Sequence, residues 1–336
     1  MANSLFIVPI ISAIFSFLVV LYITPWSIRF LKRIDLVDVD QNKKNKPIIP
    51  ISGGLPVMIG LLLGLMLFIF IRTFSPNGLS TIVSPENLNL LFVSITSILI
   101  ITFIGFSDDL LRKSDYGFHG LRQWQKPLFT ISAAIPLMII NAGDTVMGVP
   151  FLGEINFGIL FPLVIIPIGF VGATNMVNML AGFNGMETGL GLVYIGMLGL
   201  FAYVNQSYVA ALIALITFSA LLAFYYYNKF PSKILAGDSL TYLLGAVIAV
   251  IAIVGNIERA ALIVSVPFFI EFILKARKRF KVKSFGYYKD GKIKSMYSKI
   301  YSIPHIFTRS GKFTEKQVTF FVIFIELIFA SLIWVI

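Results

Sequence analysis

The sequence predicts an all-α polytopic membrane protein with about ten transmembrane helices, organised as a single domain over residues 1–336. Three observations support this expectation. Apolar residues make up 57% of the chain and charged residues 13%, against about 45–50% and about 25% in a typical soluble domain. The mean hydropathy is +0.89, and long apolar stretches repeat along the whole chain. A water-soluble domain of this length is therefore excluded.

About ten apolar segments approach the roughly 20 residues that a helix needs to cross a hydrocarbon core of about 30 Å. The first, MANSLFIVPIISAIFSFLVVLYITPW, lacks the basic start and the small-residue cleavage site of a secretory signal, so we expect it to be retained. The fourth segment is short for a span. The predicted spans lie near residues 5–30, 51–72, 88–106, 127–140, 159–174, 188–204, 208–226, 239–255, 259–275 and 317–335.

Lysine and arginine are distributed unevenly between the two sides of these spans. One side carries 25 of the 27 basic residues, and the other carries only Arg72 and Arg259. Because positive residues concentrate on the cytosolic side of membrane proteins, both termini are predicted to be non-cytosolic. The net charge of +11 is then a topology signal, and no nucleic-acid partner is needed to explain it. The predicted cytosolic connections cover residues 31–50, 107–127, 175–187, 227–238 and 276–316.

The outer connection at residues 141–158, NAGDTVMGVPFLGEINFG, has alternating apolar residues around a Leu-Gly-Glu turn. This pattern predicts a small extracytosolic β-hairpin with a structural role.

Several kinds of active site are excluded by composition. The chain has no cysteine, so disulfides, thiolate catalysis and zinc-thiolate sites are absent. His119 and His305 are the only histidines, which rules out a site built from several imidazoles. Oxygen and ammonium groups are left as the candidates for chemistry.

Three carboxylates lie at predicted cytosolic ends of spans. Asp108 and Asp109 are adjacent in GFSDDLLRKSD, where the pair either shares a neutralising cation or forms a hydrophilic helix end beside the following Arg and Lys. Asp238, in FPSKILAGDSLTY, is either an N-cap or a ligand. Each residue alone leaves both alternatives open.

Amides concentrate in NMVNMLAGFNGMETG, residues 175–189. Asn175 and Asn178 are three residues apart and share one helical face, whereas the following Ala-Gly and Asn-Gly pairs are typical of turns before the next helix. A connection that only turns the chain does not need these amides. Together with the three carboxylates, the Asn178 oxygen gives the hard ligands that magnesium prefers. With Lys126 as a cation donor, the set indicates phosphoryl-group transfer from a soluble diphosphate.

Four motifs, in order and spacing, resemble those of the polyprenyl-phosphate N-acetylhexosamine-1-phosphate transferases. They are GFSDDLLRK, GLRQWQKP, NMVNMLAGFNGMETG and FPSKILAGDSLTY, and the resemblance runs from about residue 30 to about residue 310. It implies transfer of N-acetylglucosamine (GlcNAc) 1-phosphate from UDP-GlcNAc to dolichyl or another polyprenyl phosphate, with release of UMP. In the eukaryotic and archaeal dolichyl-phosphate members that the chain resembles, this reaction initiates lipid-linked oligosaccharide synthesis for N-glycosylation.

The resemblance also implies roles for individual residues and partners. Asp238 and Asn178 correspond to ligands of Mg²⁺, for which Mn²⁺ can substitute. Asp108 and Asp109 correspond to the acidic pair near the metal and the acceptor phosphate, and Lys126 to the pyrophosphate contact. The expected substrate-binding residues are Asn175, Asn184, Glu187, His305 and Arg309. A homodimer in the bilayer is a further implication.

Differences within the family favour an archaeal member. Bacterial enzymes carry an aspartate-rich DGxDG where this chain has Ala181-Gly182 and Asn184-Gly185, and their histidine-rich motif is absent. Eukaryotic members have a longer last cytosolic connection than residues 276–316. We therefore expect a protein of the archaeal cell membrane with its active site facing the cytosol. For a eukaryotic chain the corresponding membrane would be that of the endoplasmic reticulum.

Other functions stay open at this level. A transferase that uses undecaprenyl phosphate or another UDP-N-acetylhexosamine is the first alternative. A secondary transporter is more distant, because transport sites lie near the bilayer midplane whereas these polar groups cluster at one face. Glu326, in the middle of the last span, is expected to have a structural partner across helices. The basic run at 275–294 either anchors to anionic lipid or contacts substrate.

Overall fold

The computed structural model describes residues 2–74, 85–113, 120–140, 142–149 and 153–335. This part of the chain is mainly helical, with three small antiparallel hairpins, which confirms the predicted fold class. The helices are α1 (Ala2–Arg33), α2 (Gly54–Phe74), α3 (Pro85–Lys113), α4 (Gln125–Ile139), α5 (Ile166–Met179), α6 (Met186–Val204), α7 (Tyr208–Asn228), α8 (Gly237–Gly255), α9 (Glu258–Val264), α10 (Val266–Ala276), α11 (His305–Thr308) and α12 (Glu315–Ser331). A π-helical turn, Phe161–Ile165, precedes α5, and a 3₁₀ turn, Leu332–Trp334, follows α12.

Eight helical segments within the described ranges are long and apolar enough to cross a membrane. The fourth and ninth predicted spans are shorter. Helix α4 has 15 residues, and the ninth span is divided at Ser265 into α9 and α10. Pro267, which has no backbone N–H, lies in the first turn of α10, where that donor would be unsatisfied in any case. The multi-pass architecture is thus clear, whereas the count of ten and the orientation of the termini stay predictions.

Helix α8 lies at the centre of the bundle. It packs against α2, α3, α5, α6 and α7, and 94% of its span is buried. Two glycines allow its first turn to approach neighbouring helices closely. A Cβ atom on Gly54 would lie 2.4 Å from the backbone of Ser239, and one on Gly105 would lie 2.5 Å from the carbonyl oxygen of Asp238. Backbone contact with α2 and α3 therefore fixes the position of Asp238.

The predicted outer hairpin is present. Strands β3 (Val146–Val149) and β4 (Gly153–Asn156) pair antiparallel, with Val146 opposite Asn156. Its tip, residues 150–152, lies outside the described residues.

Two further hairpins were not predicted from the sequence. Strands β1 (Val37–Val39) and β2 (Ile48–Pro50) join α1 to α2, and β5 (Tyr287–Lys289) and β6 (Lys292–Lys294) lie in the last long connection. Each strand has only three residues, which is too few for an alternating pattern to stand out from the surrounding polar residues.

The helices on the predicted cytosolic side extend further than the apolar segments suggested. The predicted connections 107–127 and 175–187 begin within helices, because α3 continues to Lys113 and α5 to Met179. Hydropathy marks the end of the apolar run, and a helix can continue beyond it where polar side chains find partners. Asp108, Asp109 and Asn178 therefore lie on rigid helical turns. Residues 114–119 lie outside the described residues.

Candidate active site

Several helix ends meet around a polar cavity of about 610 Å³. They include the C-terminal ends of α3, α5, α7 and α10 and the N-terminal ends of α4, α6 and α8. Segments from the β1–β2 hairpin, from the α5–α6 connection and from the last long connection close the cavity. Its walls include Lys126, Asn178, Asn184, Glu187 and Asp238, which the sequence had placed in the site.

An ion-paired cluster occupies the end of the cavity nearest α8. The ammonium of Lys126 lies 2.6 Å from a carboxylate oxygen of Asp238 and 2.6 Å from one of Asp108. Arg112 lies 3.0 Å from the other oxygen of Asp238. Burial opposes the charge of Lys126, but the combined interactions with its neighbours, of which attraction to Asp238 is the largest, outweigh burial and hold the pKa of Lys126 above its ordinary value. Two permanent cations therefore converge on one carboxylate.

The adjacent aspartates have different roles in the structure. Asp109 accepts hydrogen bonds from the backbone N–H groups of Asp238 and Ser239, at 2.8 and 3.2 Å, and from the hydroxyl of Ser52, at 2.7 Å. It therefore caps the start of α8 from a neighbouring helix, where free N–H groups and the helix dipole favour a carboxylate. Asp108 accepts from the N–H of Leu121 at 2.5 Å and pairs with Lys126. Both carboxylates are buried behind the cavity wall.

The two asparagines at the end of α5 point to different helices, so the expectation that their amides share a direction was wrong. The Asn178 oxygen accepts from the hydroxyl of Thr241 at 2.9 Å, facing α8 and the cavity. Asn175 faces α4 instead, where its amide N–H donates to the hydroxyl of Thr130 at 3.2 Å and to the carbonyl of Val171 at 2.8 Å. In this arrangement Asn175 holds α4 and α5 together.

Asn184 and Glu187 line the cavity, but their polar atoms are engaged with protein groups. Glu187 accepts from the N–H of Gly182 at 2.7 Å. The Asn184 side chain donates to Asp40 at 3.0 Å, and its backbone N–H donates to Glu315 at 3.0 Å. Both residues therefore shape the connection between α5 and α6.

The connection between β1 and β2 contributes residues that the sequence analysis missed. Asn42 donates to the carbonyl of Gly182 at 2.7 Å and accepts from the N–H of Gly286 at 3.3 Å. Lys43 pairs with Glu315 and lies 3.1 Å from Asp40. The run Asp-Gln-Asn-Lys at residues 40–43 could have indicated this contribution, because a connection that only turns the chain between two apolar helices does not need these polar side chains.

His305 and Arg309 do not line the cavity. His305 is buried, where its Nδ1 accepts from the N–H of Tyr301 at 3.3 Å and its Nε2 lies 3.1 Å from the carbonyl of Lys283. Burial lowers the pKa of His305, which favours the neutral ring that this hydrogen-bond pattern requires. Lys283 lines the cavity, so His305 supports the cavity wall through its hydrogen bond to the backbone of Lys283. Arg309 is exposed and outside the lining.

The chemistry of the donor set fits Mg²⁺. No group of three or more Asp, Glu or His within the described ranges could hold a metal. Magnesium is commonly bound by one or two carboxylates, with water and substrate phosphates in the other positions. Asp238 and Asn178 both face the cavity and offer a carboxylate and a neutral amide oxygen. The chain thus supplies a partial ligand set, as a site completed by substrate requires.

Comparison with known proteins agrees with this arrangement. The model of a family described as glycosyl transferase family 4 matches residues 91–256, which include the aspartate pair, Lys126, Asn178 and Asp238. The chain is 34% identical to a protein of Saccharolobus solfataricus, over 94% of this chain and 92% of the relative. It is 35% identical to one of Sulfolobus acidocaldarius, over 96% and 94%. Both relatives are provisionally named UDP-N-acetylglucosamine–dolichyl-phosphate N-acetylglucosaminephosphotransferase.

A bacterial relative matches a smaller part of the chain. The phospho-N-acetylmuramoyl-pentapeptide-transferase of Lactiplantibacillus plantarum is 29% identical over 66% of this chain and 67% of the relative. The two archaeal proteins match nearly end to end, and the residues that build the ion-paired cluster lie within the region that the family model covers. On these matches, this chain is a membrane-embedded transferase of glycosyl transferase family 4.

Proposed function

We propose that this protein transfers GlcNAc-1-phosphate from UDP-GlcNAc to dolichyl phosphate or a related polyprenyl phosphate. The products are dolichyl-diphospho-GlcNAc and UMP. The observation that carries the proposal is the convergence of Lys126 and Arg112 on Asp238 in a polar cavity at one end of the bundle. The names of the two archaeal relatives support the same donor and acceptor. The reaction would begin the assembly of a lipid-linked oligosaccharide for N-glycosylation.

The distribution of basic residues supports a cytosolic site. The cavity is built from connections that carry nearly all of the Lys and Arg residues, and such connections stay on the cytosolic side. UDP-GlcNAc would enter from the cytosol and the lipid acceptor from the bilayer. In an archaeon the membrane would be the cell membrane.

The acceptor needs little help to become a nucleophile. A phosphate monoester has a second pKa of about 6, so its oxygen is largely deprotonated near neutral pH. That oxygen attacks the β-phosphorus of UDP-GlcNAc and forms a new P–O bond. The bond from the β-phosphorus to the bridging oxygen breaks, and UMP leaves with that oxygen and its electron pair. One diphosphate link replaces another, and no general base is required.

The main barrier is the approach of two anions, which Lys126 and Arg112 would lower. An ammonium has three donors, so Lys126 can contact a phosphate oxygen while it keeps a carboxylate partner. Asp108 and Asp238 hold that ammonium in place, at 2.6 Å each. Preorganised positive charge at the reacting phosphates stabilises the charge that develops between them. Asp109 would contribute indirectly: it accepts from the backbone N–H groups of Asp238 and Ser239 and so fixes the first turn of α8, which carries Asp238.

Asp238 and Asn178 would hold Mg²⁺, with Mn²⁺ as a possible substitute. When bound, the ion would neutralise phosphate oxygens and orient the diphosphate. Lys126 and Arg112, which neutralise Asp238 here, would share the charge of that carboxylate with the ion.

The direct test is UMP release by purified protein in detergent. UDP-GlcNAc and dolichyl phosphate should give UMP and a lipid-linked GlcNAc diphosphate in equal amounts, and EDTA should stop the reaction. Excess UMP should drive the purified lipid product back to UDP-GlcNAc, because the bonds broken and formed are alike. Absence of UMP with every lipid phosphate and UDP-sugar tried would overturn the proposal.

A second candidate is a related transferase with a different donor or acceptor, such as undecaprenyl phosphate or another UDP-N-acetylhexosamine. The match to the bacterial pentapeptide transferase favours it. A panel of UDP-sugars crossed with two lipid phosphates separates these candidates by their relative kcat/KM. The site lies at one end of the helices, which argues against a secondary transporter.

A further inference from the structure

A second buried acid–base pair borders the same cavity. Glu271 and Lys275 are one helical turn apart on α10, with 3.3 Å between the carboxylate and the ammonium. Lys275 is also a cavity-lining residue. Glu271 is 0% exposed and Lys275 is 8% exposed, so both charged side chains are buried. The exposed side chains of α10 are apolar instead. Buried charges of this kind persist only where partners satisfy them.

Glu271 ties α10 to the last long connection. Its carboxylate accepts from the hydroxyl of Ser302 at 2.6 Å and from the N–H of Ile303 at 2.7 Å. The hydroxyl of Ser284 lies 3.4 Å from the same group. The carboxylate therefore organises the segment that forms one wall of the cavity and also holds the ammonium of Lys275.

Lys275 ties this assembly to the end of α5. Its ammonium donates to the carbonyl of Met179, and the hydroxyl of Ser284 lies 3.3 Å from the same oxygen. Met179 is the last residue of α5, where carbonyl groups lack helical partners and a cation is favourable. The next residue toward the N-terminus is Asn178, which lines the cavity and whose amide oxygen accepts from the hydroxyl of Thr241 at 2.9 Å.

We propose that Lys275 is a positioning residue: held by Glu271, it fixes the last turn of α5 and thereby the direction in which Asn178 presents its amide oxygen to the cation. The proposal rests on the proposed function, because it concerns the same metal ligand. Partners that orient a metal ligand from outside the coordination shell typically change metal affinity by about 10–100-fold when they are removed. Lys275 therefore acts on metal binding without contacting the metal.

The test is Mn²⁺ affinity, which needs no turnover. We would titrate Mn²⁺ into purified protein without nucleotide or lipid and follow free Mn²⁺ by electron paramagnetic resonance. Lys275→Met should raise the dissociation constant by about tenfold or more. The Mg²⁺ concentration for half-maximal UMP release should rise in parallel, whereas the KM for UDP-GlcNAc at saturating Mg²⁺ should change little. Lys289→Met removes the same charge from an exposed position on β5 and should leave all three values unchanged.

Two further variants keep the test decisive. Glu271→Gln combined with Lys275→Met leaves no isolated buried charge and should show the same loss of Mn²⁺ affinity. Ser284→Ala removes the second donor to Met179 together with the 3.4 Å contact to Glu271, leaves Lys275 in place, and should give a smaller change in the same direction. A Lys275→Met protein with a wild-type melting temperature and unchanged Mn²⁺ affinity overturns the proposal. A raised KM for UDP-GlcNAc with unchanged Mn²⁺ affinity also overturns it, because Lys275 would then contact substrate.

The outcomes also separate this inference from the proposed function. If the wild-type protein releases no UMP under any condition, the proposed function fails. If the wild-type protein is active and binds Mn²⁺, but Lys275→Met binds it equally well, only the positioning role fails.

Discussion

Asp238 and Glu326 are both buried carboxylates on membrane-spanning helices, but their surroundings differ. Asp238 lies at the end of α8, where Lys126 and Arg112 reach it from two other helix ends. Glu326 lies within α12 and is fully buried, and neither of its oxygens has a hydrogen bond in the described part of the chain. The hydroxyl of Tyr194, which interacts with it electrostatically, also lacks a hydrogen bond there. Among the described residues, the expected hydrogen-bonding partner of Glu326 is therefore not found.

Burial alone therefore does not identify an active site. A carboxylate within the membrane is a reasonable functional candidate on cost alone. What distinguishes Asp238 is the convergence of charged groups from three helices on a cavity large enough for a substrate. Substitutions at the two positions should therefore have very different effects, as should substitutions of their neighbours.

The largest effect is expected for Asp238→Asn. The amide keeps the shape of the side chain but loses the charge that would bind the metal and hold Lys126 and Arg112. Metal-ion stabilisation is worth several kcal/mol, so UMP release should fall on the order of 10³-fold. A rate assay and a melting curve in detergent check this, with Asp290→Asn in the exposed β5–β6 turn as the matched control. A folded Asp238→Asn protein with near wild-type turnover would falsify the assignment.

A smaller loss is expected for Lys126→Met. Removal of one preorganised hydrogen-bond donor at the reacting centre typically lowers kcat by about 10²–10³-fold, and here Asp108 and Asp238 would repel each other without Lys126. Lys126→Arg should recover only part of the activity, since the planar guanidinium cannot place its donors as the ammonium does. Lys289→Met is the control for charge. Equal activity of Lys126→Met and the control would show that the cluster is structural.

The sequence was sufficient to predict a multi-pass helical membrane protein and to bring several side chains of the cavity to one end of it. Apolar runs mark the helices because the hydrocarbon core requires them, and the four motifs bring Asp108, Lys126, Asn178 and Asp238 to the same end of the bundle. That these residues lie at the same end follows from the lengths of the helices and from the way successive connections alternate between the two sides of the membrane. It needs no knowledge of how the helices pack.

The individual contacts of each side chain within the site could not be predicted in this way. Whether Asp108 or Asp109 faces Lys126 depends on the rotation of α3, which close packing at Gly105 against α8 determines. The contacts of Asn42 with Gly182 and of Lys275 with Met179 join residues 140 and 96 positions apart. Such contacts depend on tertiary packing and leave no periodic signal in the sequence.

Asp109→Asn should mainly reduce stability. The carboxylate accepts three hydrogen bonds at the start of α8, and an amide cannot accept all of them with the same strength. The loss of a charged acceptor for buried donors is worth about 1–3 kcal/mol, so the melting temperature should fall. Turnover of the folded fraction should fall less than in Asp238→Asn. If instead Asp109→Asn melts like the wild type and is inactive, the carboxylate takes part in the reaction directly.

The smallest effect is expected for Glu326→Gln. Because no hydrogen bond to Glu326 is found in the described part of the chain, the change to a neutral side chain of equal size removes no partner. UMP release should therefore stay within about twofold of wild type. A tenfold loss would require the barrier to rise by about 1.4 kcal/mol, and no hydrogen bond between Glu326 and the site is found in the described residues to cause it. Glu326→Leu should raise the melting temperature, because it replaces an unsatisfied polar group in an apolar environment. A tenfold loss of turnover in a stable Glu326→Gln protein would instead connect Glu326 to the site and remove the contrast with Asp238.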